Sequence, residues 1–367
     1  MKHLQFFRNP VAIILGLGLV ATFLMVVAIP HAIALKGAYM KENPLGTSSP
    51  LAKVMEPAKP KFDEAAYDRK MELMANYAST TSTTGSTSSP QATARLWPVE
   101  GPYPKVGAIL PDKRIVAYYG NFYSTKMGIL GEFEPNVVLD KMRVEIAKWE
   151  AADPTTPVMP AIDYIATTAQ MSPGADGYYR FRMPDEHVEK AFTMADQIEG
   201  IVILEIQAGL APLQAEIEGF EDYLKRPNGH LAIDPEFNMR GGEEPGTVIG
   251  SVTAGDINRA SAYLAKLVQE NDLPPKILVI HRFTQRMVQD YQLIELRPEV
   301  QIIVVMDGWG PPARKINTYK SFIAPEPVQF TGFKIFYKND MKPPSERLLT
   351  PGDLLKLTPR PMFVQYQ

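Results

Sequence analysis

Cysteine is absent from the 367 residues. Disulfides and thiolate metal sites are therefore excluded. Neither charge sign is in excess: 38 Lys and Arg stand against 41 Asp and Glu, a formal net charge of −3. With no basic surplus and no aromatic-rich RNA-binding motif, nucleic acid is not an expected partner. Histidine is scarce, five in all, and no H-x-H or H-E-x-x-H occurs, which leaves little for zinc. No G-x-G-x-x-G opens the first strand–helix connection, where Gly120 stands alone. A dinucleotide has no cradle there, and no cofactor is expected. What remains is a globular composition, 45% hydrophobic and 22% charged.

The N-terminal region has a different character. Lys2 and Arg8 precede an uncharged apolar run over residues 11–30. Twenty such residues, at about 1.5 Å of helical rise each, cross a hydrocarbon layer of about 30 Å. The run predicts a single-pass transmembrane anchor within residues 1–40, making a membrane one partner and placing the rest outside the cytoplasm. The A-I-A at residues 32–34 keeps a cleaved signal, and so a secreted protein, as the alternative. Residues 41–104 are rich in Pro, Ser and Thr and read as a disordered linker. One short helix, in "FDEAAYDRKMELMANYA", is expected inside it.

From Arg114 onward the pattern alternates. Short β-rich runs begin at residues 114, 157, 200, 229, 276, 300, 330 and 360, and a helical stretch follows each of the first seven. Eight strands with seven helices over residues 105–367 predict a (β/α)8 TIM barrel, whose usual size is about 250 residues. A doubly wound open sheet is the alternative. Near-continuous Val, Ile and Leu suit parallel strands covered on both faces. Thr253 with Asp256, and Asp185 with Val188, are the expected helix starts.

Alternate residues of a barrel strand face the axis. That rule sends Asp163, Glu205, Gln207, Asp234, Glu236, His281, Asp307, Lys334 and Gln365 inward. All lie toward C-terminal strand ends, where barrel enzymes place their sites. Buried charges cost several kcal/mol each unless something uses or pairs them. An internally paired rim, such as Lys334 with Asp307, is the structural alternative. Tyr119, Phe122, Tyr164 and Trp309 are expected in packing or stacked on sugar rings.

The fourth run, "HLAIDPEF", ends in Asp234 and Glu236, read as neighbours on one strand face. Repulsion between them would raise one pKa and keep that acid protonated. This D-x-E resembles the end of the D-x-x-D-x-D-x-E pattern of chitinase-type glycoside hydrolases. Residues 229–236 keep its last two acids, with Gly229 and Ala232 in place of the earlier aspartates. The resemblance implies Glu236 as the catalytic acid and Asp234 as the group orienting a substrate N-acetyl. Chalaropsis-type muramidases also carry a D-x-E on a middle strand and often end their last strand W-Q-Y. Gln365 and Tyr366 are similar to that ending, whereas the first-strand aspartate of that family is missing.

Three functions follow. The first is a membrane-tethered glycoside hydrolase acting on a cell-envelope or extracellular polysaccharide. Glu236 and Asp234 would be catalytic, with Asp163, Glu205, Gln207, His281, Asp307, Lys334, Gln365 and Tyr119 binding substrate. The second is a barrel without catalysis that binds a glycan or serves as structure. The third is a metal-dependent hydrolase built on His281 with Asp163, Glu205 or Asp234.

Overall fold

Eight of the apolar runs pair side by side as parallel strands: β1 (Arg114–Gly120), β2 (Val158–Ala169), β3 (Ile201–Ile206), β4 (Gly229–Ile233), β5 (Lys276–Arg282), β6 (Val300–Met306), β7 (Phe330–Ile335) and β8 (Phe363–Tyr366). The ring closes because β8 pairs with β7 and with β1, Ile115 opposite Phe363 and Ala117 opposite Gln365. β1 pairs in turn with β2. The computed structural model describes residues 62–77 and 95–367. The expected anchor or signal at residues 11–30 lies outside them. Among the described residues no helix is long and apolar enough to cross a membrane.

Strand alternation sorts the side chains into two layers. Ile115, Ala117, Ala161, Ile203, Ala232, Val279, Ile303, Val305 and Phe363 fill the barrel. Val116, Ile162, Val202, Leu204, Leu231, Ile233, Leu278 and Ile280 face outward. These outer residues pack on the helices, including Trp149, Phe192 and Leu264. Phe122 and Tyr164 belong to this outer layer, stacked at 4.8 Å, and not to the barrel mouth.

One amphipathic helix closes the N-terminal end of the barrel. α1 (Glu64–Ala75) is capped by Asp63, whose carboxylate accepts from the Ala66 N–H at 2.9 Å. Asn76 ends it in the left-handed region, and its side chain donates to the Leu357 carbonyl at 2.7 Å. Met71, Met74 and Ala75 are buried with Trp97 and Leu110 against the barrel interior. The stretch read as a linker therefore contributes this helix, which shares one compact unit, Lys59–Gln367, with the barrel.

The outer layer is formed by α2 (Pro135–Ala152), α3 (Asp185–Asp196), α4 (Leu213–Glu218), α5 (Ala254–Glu270) and α6 (Pro312–Phe322), with a single turn at Pro351–Leu354 before β8. Thr253 and Asp256 form the expected capping box of α5. Pro184, not Asp185, holds the N-cap position of α3; Asp185 sits in the first turn, where its charge suits the helix dipole. The helix expected after β5 does not form. Asp290 adopts a left-handed conformation (φ 57°) between two short 3-10 turns, and Val288–Gln289 pairs with Val252–Thr253 instead. β2 also runs on to Ala169 and turns back antiparallel through Arg180–Arg182.

Candidate active site

β4 stops at Ile233 because Pro235 has no N–H to give the ladder. Asp234 leaves the strand and caps a 3-10 turn, Pro235–Phe237, its Oδ1 accepting from the Glu236 N–H at 3.0 Å. The turn is pressed down by Gly250, whose N–H donates to the Glu236 carbonyl at 2.7 Å. A Cβ at Gly250 would lie 2.6 Å from the Pro235 and Asn238 carbonyl oxygens, so only glycine fits. Asp234 is thus buried beneath the turn, while Glu236 is half-buried and lines a cleft of about 660 Å³. The two acids are not strand neighbours sharing a face, as the sequence reading had them: one caps the turn that carries the other.

The ten candidate residues do gather at the C-terminal end of the barrel, in two tiers. Tyr119, Gln207, Asp234, Glu236, Asp307 and Lys334 line the cleft. Asp163, Glu205, His281 and Gln365, also expected to bind substrate, lie outside its lining and are fully buried. They form the support beneath. His281 sits between two carboxylates, with Nδ1 2.8 Å from Asp307 Oδ2 and Nε2 3.1 Å from Glu205 Oε2. The Tyr119 hydroxyl donates to Glu205 at 2.7 Å, and Gln207 donates to the same oxygen at 2.9 Å. Lys334 is 3.2 Å from Asp307 Oδ1 and 3.8 Å above the Tyr119 ring. Gln365 donates to Asp163 at 2.5 Å. The paired-rim alternative holds for Lys334 and Asp307.

Burial and charge drive these groups apart. Burial alone would lower the His281 pKa, but Asp307 and Glu205 outweigh it and hold the imidazole well above its ordinary range. Lys334 is raised for the same kind of reason, chiefly through Asp307. Burial would raise Glu205 and Asp307, yet the charges of His281 and Lys334 keep both below the usual carboxylate range. Two anions and two cations therefore neutralise one another. The remaining acids go the other way. Burial, reinforced by the Glu205 charge, lifts Asp163 to about 7 and Asp234 well above its ordinary value. Glu236 is raised by burial first and the Asp307 charge second.

Glu236 makes no side-chain hydrogen bond or ion pair among the described residues and points into open space. Phe237, Phe283, Trp309 and Phe336 stand around it. Of these only Trp309 was singled out from sequence, yet Phe283 and Phe336 continue the inward parity of His281 and Lys334 one residue past their strand ends. Among the described residues no group of three or more His, Asp or Glu side chains is arranged to hold a metal ion.

No family description and no curated protein matches the chain. Among solved structures it is similar to a ruminal GH26 endo-beta-1,4-mannanase, at 12% identity over 69% of this chain and 58% of that one, with a TM-score of 0.33. It is similar to Bacillus subtilis mannanase man26 at 11% identity over 70% and 80% of the two chains, TM-score 0.36. It is also similar to the YdhT protein of Bacillus subtilis, at 12% identity over 70% and 81%, TM-score 0.36. The chain spans 58% of the length of the first of these. Likeness this slight carries no weight for the chemistry. None of the three is described as a chitinase or a muramidase, so the resemblance read from the D-x-E has no counterpart among them.

Proposed function

We propose that the chain is a glycoside hydrolase acting on a polysaccharide, with Glu236 as the acid. The observation that carries this reading is the state of Glu236: a free carboxyl in an aromatic-lined cleft, its pKa raised by burial and by the Asp307 charge. Protonated, it can donate to a glycosidic oxygen; ionised after bond cleavage, it can take a proton back from water. Asp307 is a poor nucleophile, because His281 and Lys334 engage both its oxygens. Asp234, its pKa raised well above the ordinary value by burial and the Glu205 charge, suits hydrogen bonding to the substrate. In substrate-assisted cleavage of an N-acetylated sugar, one carboxyl donates to the leaving oxygen and a second accepts a hydrogen bond from the acetamido N–H, roles that Glu236 and Asp234 could fill. This supports the chitinase-like form of the reading.

Hydrolysis of chitin oligomers, peptidoglycan and β-1,4-mannan by wild type and Glu236→Gln tests the proposal. The glutamine keeps the shape and removes the transferable proton, so activity falls by about a hundredfold or more while folding is retained. An active wild type whose activity survives Glu236→Gln overturns the assignment. The mutual neutralisation of Glu205, His281, Asp307 and Lys334 favours a second reading, a barrel that binds a glycan without cleaving it. Binding without turnover in the same panel selects it.

A further inference from the structure

Two aromatic rings stand open to solvent beside the barrel mouth. Tyr123 is 59% exposed and Phe181 44% exposed, with ring centroids 6.1 Å apart. Tyr123 is not on a free loop: its N–H donates to the Asn121 side chain at 2.8 Å, and Asn121 donates to the Ile165 carbonyl of β2 at 3.1 Å. Its ring also rests on His187 of α3 at 4.5 Å. Phe181 is held by the short strand Arg180–Arg182, directly opposite Thr168. Arg180 and Arg182 flank it and are both tied to Glu216, at 2.9 and 2.7 Å. Neighbours along a strand point to opposite faces, so Phe181 faces away from that ion-paired side.

Directly opposed residues of an antiparallel pair share a face. Phe181 therefore lies on the face of Thr168, which lines the cleft and donates to Gln207 at 3.2 Å. The loop of Tyr123 independently carries Lys126 and Met127 into the cleft wall. Two separate elements thus lead from the cleft to the ring pair.

We propose that Tyr123 and Phe181 form a platform continuing the cleft, on which sugar residues remote from Glu236 stack. The proposal rests on the glycoside hydrolase reading and extends it to a substrate longer than the cleft alone would hold. Sugar rings present apolar C–H faces, and fixed aromatic side chains offer contact area at little cost in side-chain entropy. The two nearby arginines are already paired, so the platform itself suits an uncharged ring. A protein partner needs about 800 Å² on each side, more than two rings supply.

The test measures binding of the dimers and hexamers of β-1,4-linked N-acetylglucosamine and mannose in a Glu236→Gln background, where the ligand survives. Adding Tyr123→Ala and Phe181→Ala together weakens hexamer binding by about tenfold or more, since aromatic residues are enriched among those that dominate binding energy. Dimer binding and the melting temperature stay unchanged. Equal hexamer affinity overturns the platform, as does failure to bind any of the oligomers. Self-association that Phe181→Ala abolishes also overturns it, by giving the rings to a second copy. The two readings separate cleanly. Loss of hexamer binding with Glu236→Gln still active keeps the platform and removes the catalytic assignment. Unchanged hexamer binding with Glu236→Gln inactive does the reverse.

Discussion

Asp163 lies on β2 with one oxygen accepting from Gln365 and the other, Oδ1, buried without a hydrogen-bond partner among the described residues. Burial moves its pKa from 3.8 to about 7 in the folded chain. An acid whose folded pKa is raised stabilises fully below its unfolded value, and that contribution is lost as pH climbs through the folded value. Asp234, Glu236 and His281 are raised too and act with the same sign. Asp163, Asp234 and Glu236 thus hold protons in the folded chain from about pH 4 upward that the unfolded chain has lost; buried His230, its pKa lowered well below 6.5, opposes them below that value, but one group against three leaves the melting temperature falling as pH rises to about 7. Lys276, lowered by burial to about 7, and Lys315, lowered to about 8, oppose the trend at higher pH. Asparagine at 163 mimics the neutral acid and cannot ionise. Relative to wild type, Asp163→Asn should gain stability progressively as pH rises from about 4 to 7, so its advantage in melting temperature is larger at pH 8 than at pH 5. Thermal melts at both pH values check this, and an equal shift at both would show that ionisation is not the cause. Period-two counting from sequence put nine of the ten site residues on the inner face. It did not reveal that four of them lie beneath the cleft, because depth depends on strand register, which single-strand patterns do not carry.

α1 was legible as a helix in the sequence and illegible as part of the barrel. Its surroundings are rich in Pro and Ser, and nothing in the twelve residues names their partner. The spacing of Met71, Met74 and Ala75 on one face makes sense only beside the open base that Trp97 and Leu110 also fill. The helix missing after β5 shows the converse: "TQRMVQDYQLIEL" has helical spacing, but tertiary pairing of Val288–Gln289 overrides it. The D-x-E turn is a third case, since Pro235 signalled the end of the strand while the cap made by Asp234 shows only in three dimensions. The docking of α1 can be measured. Met74 is 3% exposed, and truncating a buried methionine to alanine typically costs about 2–5 kcal/mol. Met74→Ala should lower stability by that amount in denaturant unfolding, with the slope unchanged if the helix stays docked. Leu73, on the same helix but 65% exposed, is the control. Leu73→Ala should change stability by less than about 0.5 kcal/mol. Equal small effects at both positions would mean that α1 does not seal the base in solution.

The barrel as a whole depends on its last four strand residues. β8 is the only strand bridging β7 and β1 among the described residues, so both neighbours take their hydrogen bonds from it. It also carries Phe363 into the interior, Gln365 to Asp163, and Tyr366 to the Trp149 indole N–H, which donates to its hydroxyl at 2.9 Å. Closure is what removes edges from a sheet of this kind; without β8, β1 and β7 would each expose an unpaired row of N–H and C=O groups. The segment before it is tied as well, since the Arg360 N–H donates to the Met74 carbonyl at 2.8 Å and joins the end of the barrel to α1. Removing residues 360–367 therefore takes away a strand, a piece of each core layer and one anchor of the base helix together. The expected outcome is loss of the cooperative thermal transition, with exposed apolar surface detectable by dye binding. A shortened chain that melts at the wild-type temperature would show that the strands can form a stable open sheet. In that case the site would also have to tolerate Asp163 losing Gln365, and Asp163→Asn would no longer distinguish pH 5 from pH 8 by the same margin.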